Sequence, residues 1–236
     1  MTSRGNLAIL NVMPIRKFPL VNGEVFHIYN RSVGPIPIFT DKKEHERFIF
    51  GLVFYQNDCV PIKLSKFNKL SKVKREKIIH SLREKKEWLV EIVSYCVMPT
   101  HFHLVLRQLK ENGIENYVRL VTNSFSHYFN IKNDRSGSLF ADRFKAVHIE
   151  NDEQLLHVVR YVHLNPFTSY IVRNLEELED YSFSSLPEYL GKSTMAICQK
   201  QLILDFFPTT EKYRNFVLNQ ADFQRSLHKI KHKIFE

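Results

Sequence analysis

Two β-forming runs separated by three residues constrain this chain most. Val90 to Val97 and His101 to Arg107 flank Met98-Pro99-Thr100. A connection that short joins antiparallel neighbours, because a parallel pair needs a crossover of about a dozen residues or more. The two runs are therefore expected to form a hairpin. Upstream, Glu24 to Ser32 is rich in β-formers, and Gly34-Pro35-Ile36-Pro37 breaks it. Asp41 is placed to cap a helix through about Phe54, with Phe48, Ile49, Leu52 and Val53 as its apolar stripe. Downstream, Ile114, Tyr117, Val118, Val121, Phe125 and Tyr128 recur at helical spacing to about Ile131, and Asn133 to Ser138 reads as a loop. Leu139 to Ile149 is expected as a further strand, although Phe140, Phe144 and Val147 do not alternate cleanly. Asn151-Asp152-Glu153 opens a helix with acids in its first turn, where they favour the dipole. That helix is expected to end at Asn165, before Pro166.

The order β, α, β, β, α, β with a further helix predicts an α+β, ferredoxin-like (split βαβ) antiparallel sheet with helices on one face, plus a helical C-terminal extension. The chain has 236 residues, enough for one domain with an appendage. Residues 1–190 are expected to form the main domain and 191–236 a basic extension. Its Tyr213 to Glu236 segment carries Arg225, Lys229, Lys231 and Lys233, and reads either as a docking or nucleic-acid tail or as a solvated helix. No uncharged apolar run approaches the ~20 residues of a membrane helix. Met1 to Leu20 lacks an apolar stretch ending in a small-residue cleavage site, so no signal peptide is expected. The three cysteines, Cys59, Cys96 and Cys198, are scattered and include no C-x-x-C pair. They favour neither a disulfide framework nor a cysteine zinc site, and fit a reducing cytoplasm.

Charge is uneven. Lys and Arg number 34 against 25 Asp and Glu, a formal +9. Much of the excess lies in an insertion at about 62–88, including Lys72, Lys74 and Arg75. Such a run is either a solvated helical face or an arm that tracks phosphates.

Two short motifs carry chemistry. In His101-Phe102-His103 on a strand, residues i and i+2 share a face, which sets the two imidazoles about 6.6 Å apart at Cα. They can converge on one metal ion, although two half-exposed strand histidines need no ligand. In Arg160-Tyr161-Val162-His163-Leu164-Asn165-Pro166 on a helix, Tyr161 and Asn165 are i, i+4 and share a face. They read as a phenol with a neighbouring amide oxygen, or as a core tyrosine with a cap before proline. His163 faces elsewhere. His27 is near enough in the pattern to approach the site, and packing is its plainer use. Arg143 and Lys145, i and i+2, are candidates to meet a DNA backbone from one face.

Taken together, the motifs resemble the HUH single-tyrosine transposases, and more closely the REP-associated tyrosine transposases, relatives of the small insertion-sequence transposases. The resemblance runs through Phe26-His27 to Asn30-Arg31, Met98-Pro99-Thr100-His101-Phe102-His103-Leu104, Ser126 to Asn130, Gly137 to Phe140 with Arg143-Phe144-Lys145, Arg160 to Pro166, and Tyr181-Ser182-Phe183-Ser184-Ser185. It covers roughly residues 22 to 190. The chain departs from the family pattern after Pro166, where Phe167-Thr168-Ser169-Tyr170 replaces small residues and a glycine, and in the length of its basic insertion.

The resemblance implies a metal-dependent DNA endonuclease and strand transferase acting on single-stranded or hairpin DNA, as a monomer or a homodimer. It implies Tyr161 as the nucleophile forming a 5′-phosphotyrosine. It implies His101, His103 and Asn165 as ligands of Mg²⁺ or Mn²⁺. A phenol of reference pKa ~10 is a poor nucleophile at neutral pH, which is why a metal on the phosphate helps. The alternatives are a catalytically inactive ferredoxin-like nucleic-acid-binding module, and a metallohydrolase using His101, His103 and a bound water.

Overall fold

The computed structural model describes residues 19–34, 36–85, 87–141 and 143–226. Pro35, Lys86, most of the N-terminal stretch, and the tail lysines Lys229, Lys231 and Lys233 lie outside the described residues. The elements run β1 (Val25–Arg31), α1 (Lys42–Phe54), α2 (Leu64–Phe67), α3 (Lys72–Lys85), β2 (Val90–Met98), β3 (His101–Gln108), α4 (Gly113–Lys132), β4 (Lys145–Ile149) and α5 (Asp152–Thr168). Short helices follow: α6 (Leu175–Glu179), α7 (Leu186–Tyr189), α8 (Gln201–Leu204) and α9 (Thr210–Leu218). The four strands make one antiparallel sheet in the order β2-β3-β1-β4, the order a split βαβ unit produces.

Side-chain alternation divides the core in two. Phe26 and Ile28 on β1, Tyr95 and Val97 on β2, and Phe102, Leu104 and Leu106 on β3 bury against the crossover helices α1 and α4. These two helices share one face, as the element order requires. Val93, Cys96, Met98 and Val105 point to the other face and bury against α5 and the C-terminal helices. Strand β2 is therefore covered on both sides, and all nine of its residues are buried. The expectation of helices on one face holds for the βαββαβ unit; α5 adds a second layer behind the sheet.

Local chemistry fixes the helix ends. Asp41 accepts from the Glu44 amide while the Glu44 carboxylate accepts from the Asp41 amide, a complete capping box. Lys132, at the end of α4, reaches both carboxylates at 2.7 and 2.8 Å and ties the two crossover helices together. Asn151 caps α5 by accepting from the Gln154 amide.

Two boundaries differ from expectation. The strand expected over Leu139 to Ile149 is only β4, from Lys145. Leu139 and Phe140 instead fill the core on the α1/α4 side, which is why their spacing does not alternate. Helix α5 passes through Pro166 to Thr168. A proline that late removes one hydrogen bond near the helix end, and its carbonyl still accepts from the Ile171 amide at 2.9 Å.

The edge strand β2 is sealed by the Tyr181 to Ser185 segment. The Val97 amide donates to the Phe183 carbonyl and the Ser185 amide to the Tyr95 carbonyl, each at 2.9 Å. Covering the edge this way removes a row of unpaired backbone groups. The C-terminal segment also docks: Ile203, Tyr213 and Val217 are fully buried in the cluster that holds Val159, Val162 and Leu164 of α5. Among the described residues, no helix is long and apolar enough to cross a membrane.

Candidate functional site

The site forms where α5 lies across the open face of β1 and β3. The register pairs Tyr29 with His103 and Arg31 with His101, so the period of two puts His27, Tyr29, His101 and His103 on the face that α5 covers. The rings of His101 and His103 are 5.1 Å apart at their centroids and nearly perpendicular. Tyr161, from α5, meets the His103 ring edge-on at 5.5 Å and the His27 ring at 6.0 Å. Tyr161 as a residue is 42 % exposed although it sits on a packed helix. It borders a cleft of about 470 Å³ that His27, Tyr29, His103, Gln154 and His157 also line.

The imidazoles are specifically oriented. His27 Nε2 lies 2.9 Å from His103 Nδ1, and both rings are buried. Thr100 Oγ1 lies 3.0 Å from His101 Nδ1. In each of the two strand histidines Nδ1 is therefore engaged, which sets the orientation of the ring. Burial holds the pKa of His103 well below its ordinary value, with the neighbouring His27 and His101 adding to the effect. Burial lowers that of His27 to about 4. Both rings are thus neutral near pH 7, the form that coordinates metal.

Tyr161 is a phenol held protonated. Desolvation raises its pKa, and a hydrogen bond from the Asn165 side chain partly offsets this. Asn165 sits one turn beyond Tyr161, is buried, and directs its Nδ2 to the Tyr161 carbonyl at 3.4 Å. Because α5 continues past it, Asn165 is an interior helix residue and not a cap. Two imidazoles, from His101 and His103, and the amide oxygen of Asn165 are a donor set that a divalent ion accepts, with imidazole the softer partner and carbonyl oxygen suited to Mg²⁺ or Mn²⁺. Among the described residues no group of three or more His, Cys, Asp and Glu is arranged to hold a metal, so Asn165 and solvent would have to complete this one.

His163 does not belong to this site. It is fully buried behind it, with Nε2 2.8 Å from Ser185 Oγ and Nδ1 2.7 Å from the Tyr213 hydroxyl. His27 stands beside His103, a position that no local sequence signal gives, because the pairing of β1 with β3 is set by the fold.

The candidate DNA contacts separate. Lys145 is paired with Tyr29 across β1 and β4, on the side of the sheet facing Tyr161. Arg143 precedes the strand and lines a groove against α4 with Asn30, Arg119 and Asn123. The expectation of one shared face for this pair is corrected: strand geometry begins at Lys145, so the i, i+2 rule does not reach back to Arg143. Lys72, Lys74 and Arg75 are exposed on α3, away from the tyrosine.

Comparisons with known proteins bear on the family likeness and the fold. Residues 63–165 match the family described as "Transposase IS200 like". Among solved structures, one of a REP-associated tyrosine transposase bound to a REP hairpin superposes with a TM-score of 0.52 at 16% identity, covering 78% of this chain and 90% of that one. No curated protein matches. The resemblance to a transposase is borne out as a likeness to the IS200-like family over residues 63–165, and the fold is that of the solved REP-associated neighbour.

Proposed function

We infer that the protein is a DNA strand-cleaving and strand-joining enzyme of the transposase type, with Tyr161 as its nucleophile. The observation that carries this is the placement of an exposed phenol edge-on to His103, on a helix laid across the strand that presents His101 beside it. In the reaction, Tyr161 Oη forms a bond to phosphorus and the bond from phosphorus to the 3′ oxygen breaks. The phenol gives up its proton and the departing 3′ oxygen takes one. The phosphodiester is conserved as a 5′-phosphotyrosine, so a strand can be rejoined without an external energy source.

His101 and His103, with Asn165, are the residues that would hold a divalent ion, Mg²⁺ or Mn²⁺, whose chemistry is to neutralise the non-bridging phosphate oxygens and align the scissile bond. His27 fixes the ring orientation of His103, and Asn165 favours the phenolate of Tyr161. Lys145 stands where it can meet the backbone of a strand entering the cleft. The hairpin carried by the structural neighbour makes single-stranded hairpin DNA the substrate to try first.

The test is incubation with hairpin DNA and Mn²⁺ followed by a denaturing gel. A protein-linked band is expected with the wild type. Tyr161→Phe should lose it and keep near-normal DNA binding; a band that persists in the Phe variant rules out Tyr161. A second reading, an inactive DNA-binding module, is favoured because no group of three or more His, Cys, Asp and Glu among the described residues is arranged to hold a metal. Salt-sensitive binding with no band on any hairpin would select it.

A further inference from the structure

The basic insertion has little to do with holding the fold together. Helix α3 spans Lys72–Lys85, yet Leu82 is its single buried residue. Ile78 and Ile79 are partly buried and complete the stripe that attaches it. Arg75 and Arg83 make no ion pair among the described residues, and Lys72 has only Glu76, at 3.9 Å, one turn along the same helix. Charges that stabilise nothing locally call for another explanation.

Their placement supplies one. Lys72, Arg75 and Arg83 line one side of a groove of about 430 Å³, with Glu76 the carboxylate among them. The other side is aromatic. Phe67 of α2 is buried beneath it, and Phe50 of α1 is an exposed residue, at 36 %, whose ring lies 5.8 Å from that of Phe67. Phe50 is an outward-facing phenylalanine on a helix whose apolar stripe is already supplied by Phe48, Ile49 and Leu52. Cations along a groove beside an exposed ring form the pattern that binds single strands: the cations follow the phosphates and the ring stacks an unpaired base. A duplex offers no free base face, so the ring favours single strands over duplex. The groove lies on the α1 side of the sheet, opposite the face that carries His101, His103 and Tyr161.

We propose that the groove between α1, α2 and α3 is a second, non-catalytic site for single-stranded DNA, in which Phe50 stacks a base and Lys72, Arg75 and Arg83 hold the flanking phosphates. It takes its ligand from the function inferred above and rests on that reading, but its test reads a different surface.

The test uses the full chain in a Tyr161→Phe background and a fluorescein-labelled oligothymidylate of about 16 nucleotides, followed by anisotropy over a series of KCl concentrations. The double variant Arg75→Ala/Arg83→Ala should lower the slope of log affinity against log salt by about 1.4, or ~0.7 per lost phosphate contact. Phe50→Leu, which keeps an apolar side chain and removes the stacking face, should weaken binding about tenfold with an unchanged slope. A melting curve for each variant checks that the fold persists. Oligonucleotides carrying 5-iododeoxyuridine should cross-link to Phe50 on irradiation. A wild-type salt slope in the double variant, wild-type affinity in Phe50→Leu, or equal competition by a duplex of the same length would each overturn the proposal. Failure of the chain with Tyr161 intact to form an adduct with hairpin DNA and Mn²⁺, with these effects present, would overturn only the cleavage reading. An adduct formed by the chain with Tyr161 intact, with these effects absent from the Tyr161→Phe series, would overturn only the groove.

Discussion

His27 Nε2 and His103 Nδ1 lie 2.9 Å apart in a site where both rings are buried, so one imidazole donates to the other. Such a bond fixes which nitrogen of His103 faces the cleft, as the outer partner of a metal-ligating histidine commonly does. Removing that partner has two consequences. Replacing His27 with Ala leaves a buried ring nitrogen unpaired, at a cost of about 1–3 kcal/mol, readable by denaturant unfolding. It should also weaken Mn²⁺ binding by about 10–100-fold in isothermal titration. A variant that binds Mn²⁺ like the wild type would show that His27 does not orient the ligand.

A pH dependence follows from His163. Burial lowers its pKa from the ordinary 6.5 to about 3. Above about pH 6.5 neither folded nor unfolded chain carries the proton, and the group has no effect. As pH falls from there towards 3, only the unfolded chain takes it up. Stability therefore falls by up to about 1.4 kcal/mol per pH unit across that window. His163→Gln loses some stability at pH 7 because its bonds to Ser185 and Tyr213 are altered. Its stability should nevertheless decline less steeply between about pH 6 and pH 4, by up to one proton's worth of slope. Equal slopes in chemical denaturation would mean that the ring is protonated in the folded protein.

Gly113 opens α4 immediately after Asn112, which has a left-handed φ of 55°. A Cβ at Gly113 would run into the backbone carbonyl of Leu89, a group fixed by the Leu109 amide at 3.0 Å. Backbone cannot step aside as a flexible side chain can. Gly113→Ala should therefore destabilise by about 1–3 kcal/mol despite alanine's better helix propensity. A thermal melt at or above the wild-type midpoint would refute the close approach.

Much of this architecture was legible because local signals and tertiary demands coincide. Asp41 announces α1 as its cap, and the structure completes that cap into a box with Glu44. The hairpin of β2 and β3 follows from a three-residue gap, and the shared face of His101 and His103 follows from strand period alone. Where the reading failed, a long-range contact overrode the local rule. Leu139 and Phe140 look strand-like because they are apolar, but they fill the α-side core from a loop. Pro166 looks like a stop, but it falls within the last turn, where one lost bond is tolerated. His27 looked like packing because nothing local says that β1 lies beside β3, which is set by the fold and not by neighbouring residues. The Tyr181 to Ser185 motif resembled a family signature, and its visible role is to cover the edge of β2.

The C-terminal segment read from composition as an appendage, and its buried residues connect it to the helix that carries Tyr161. The Tyr213 hydroxyl bonds His163 at 2.7 Å, and its ring packs on Tyr189 and Phe207. Arg160, the residue before Tyr161, lies over the Phe216 ring at 4.6 Å. The rear of α5 is thus braced by α9, and the front presents the phenol. Tyr213→Phe removes only the hydroxyl and should cost about 1–3 kcal/mol by leaving His163 Nδ1 unpaired. Tyr213→Ala also opens a cavity and should cost about 3–5 kcal/mol, as large aromatic truncations do. If the segment were a solvated tail, both variants would melt with the wild type. If it braces α5, hydrogen exchange in residues 155–165 should quicken in the order wild type, Tyr213→Phe, Tyr213→Ala, and adduct formation by Tyr161 should decline in the same order.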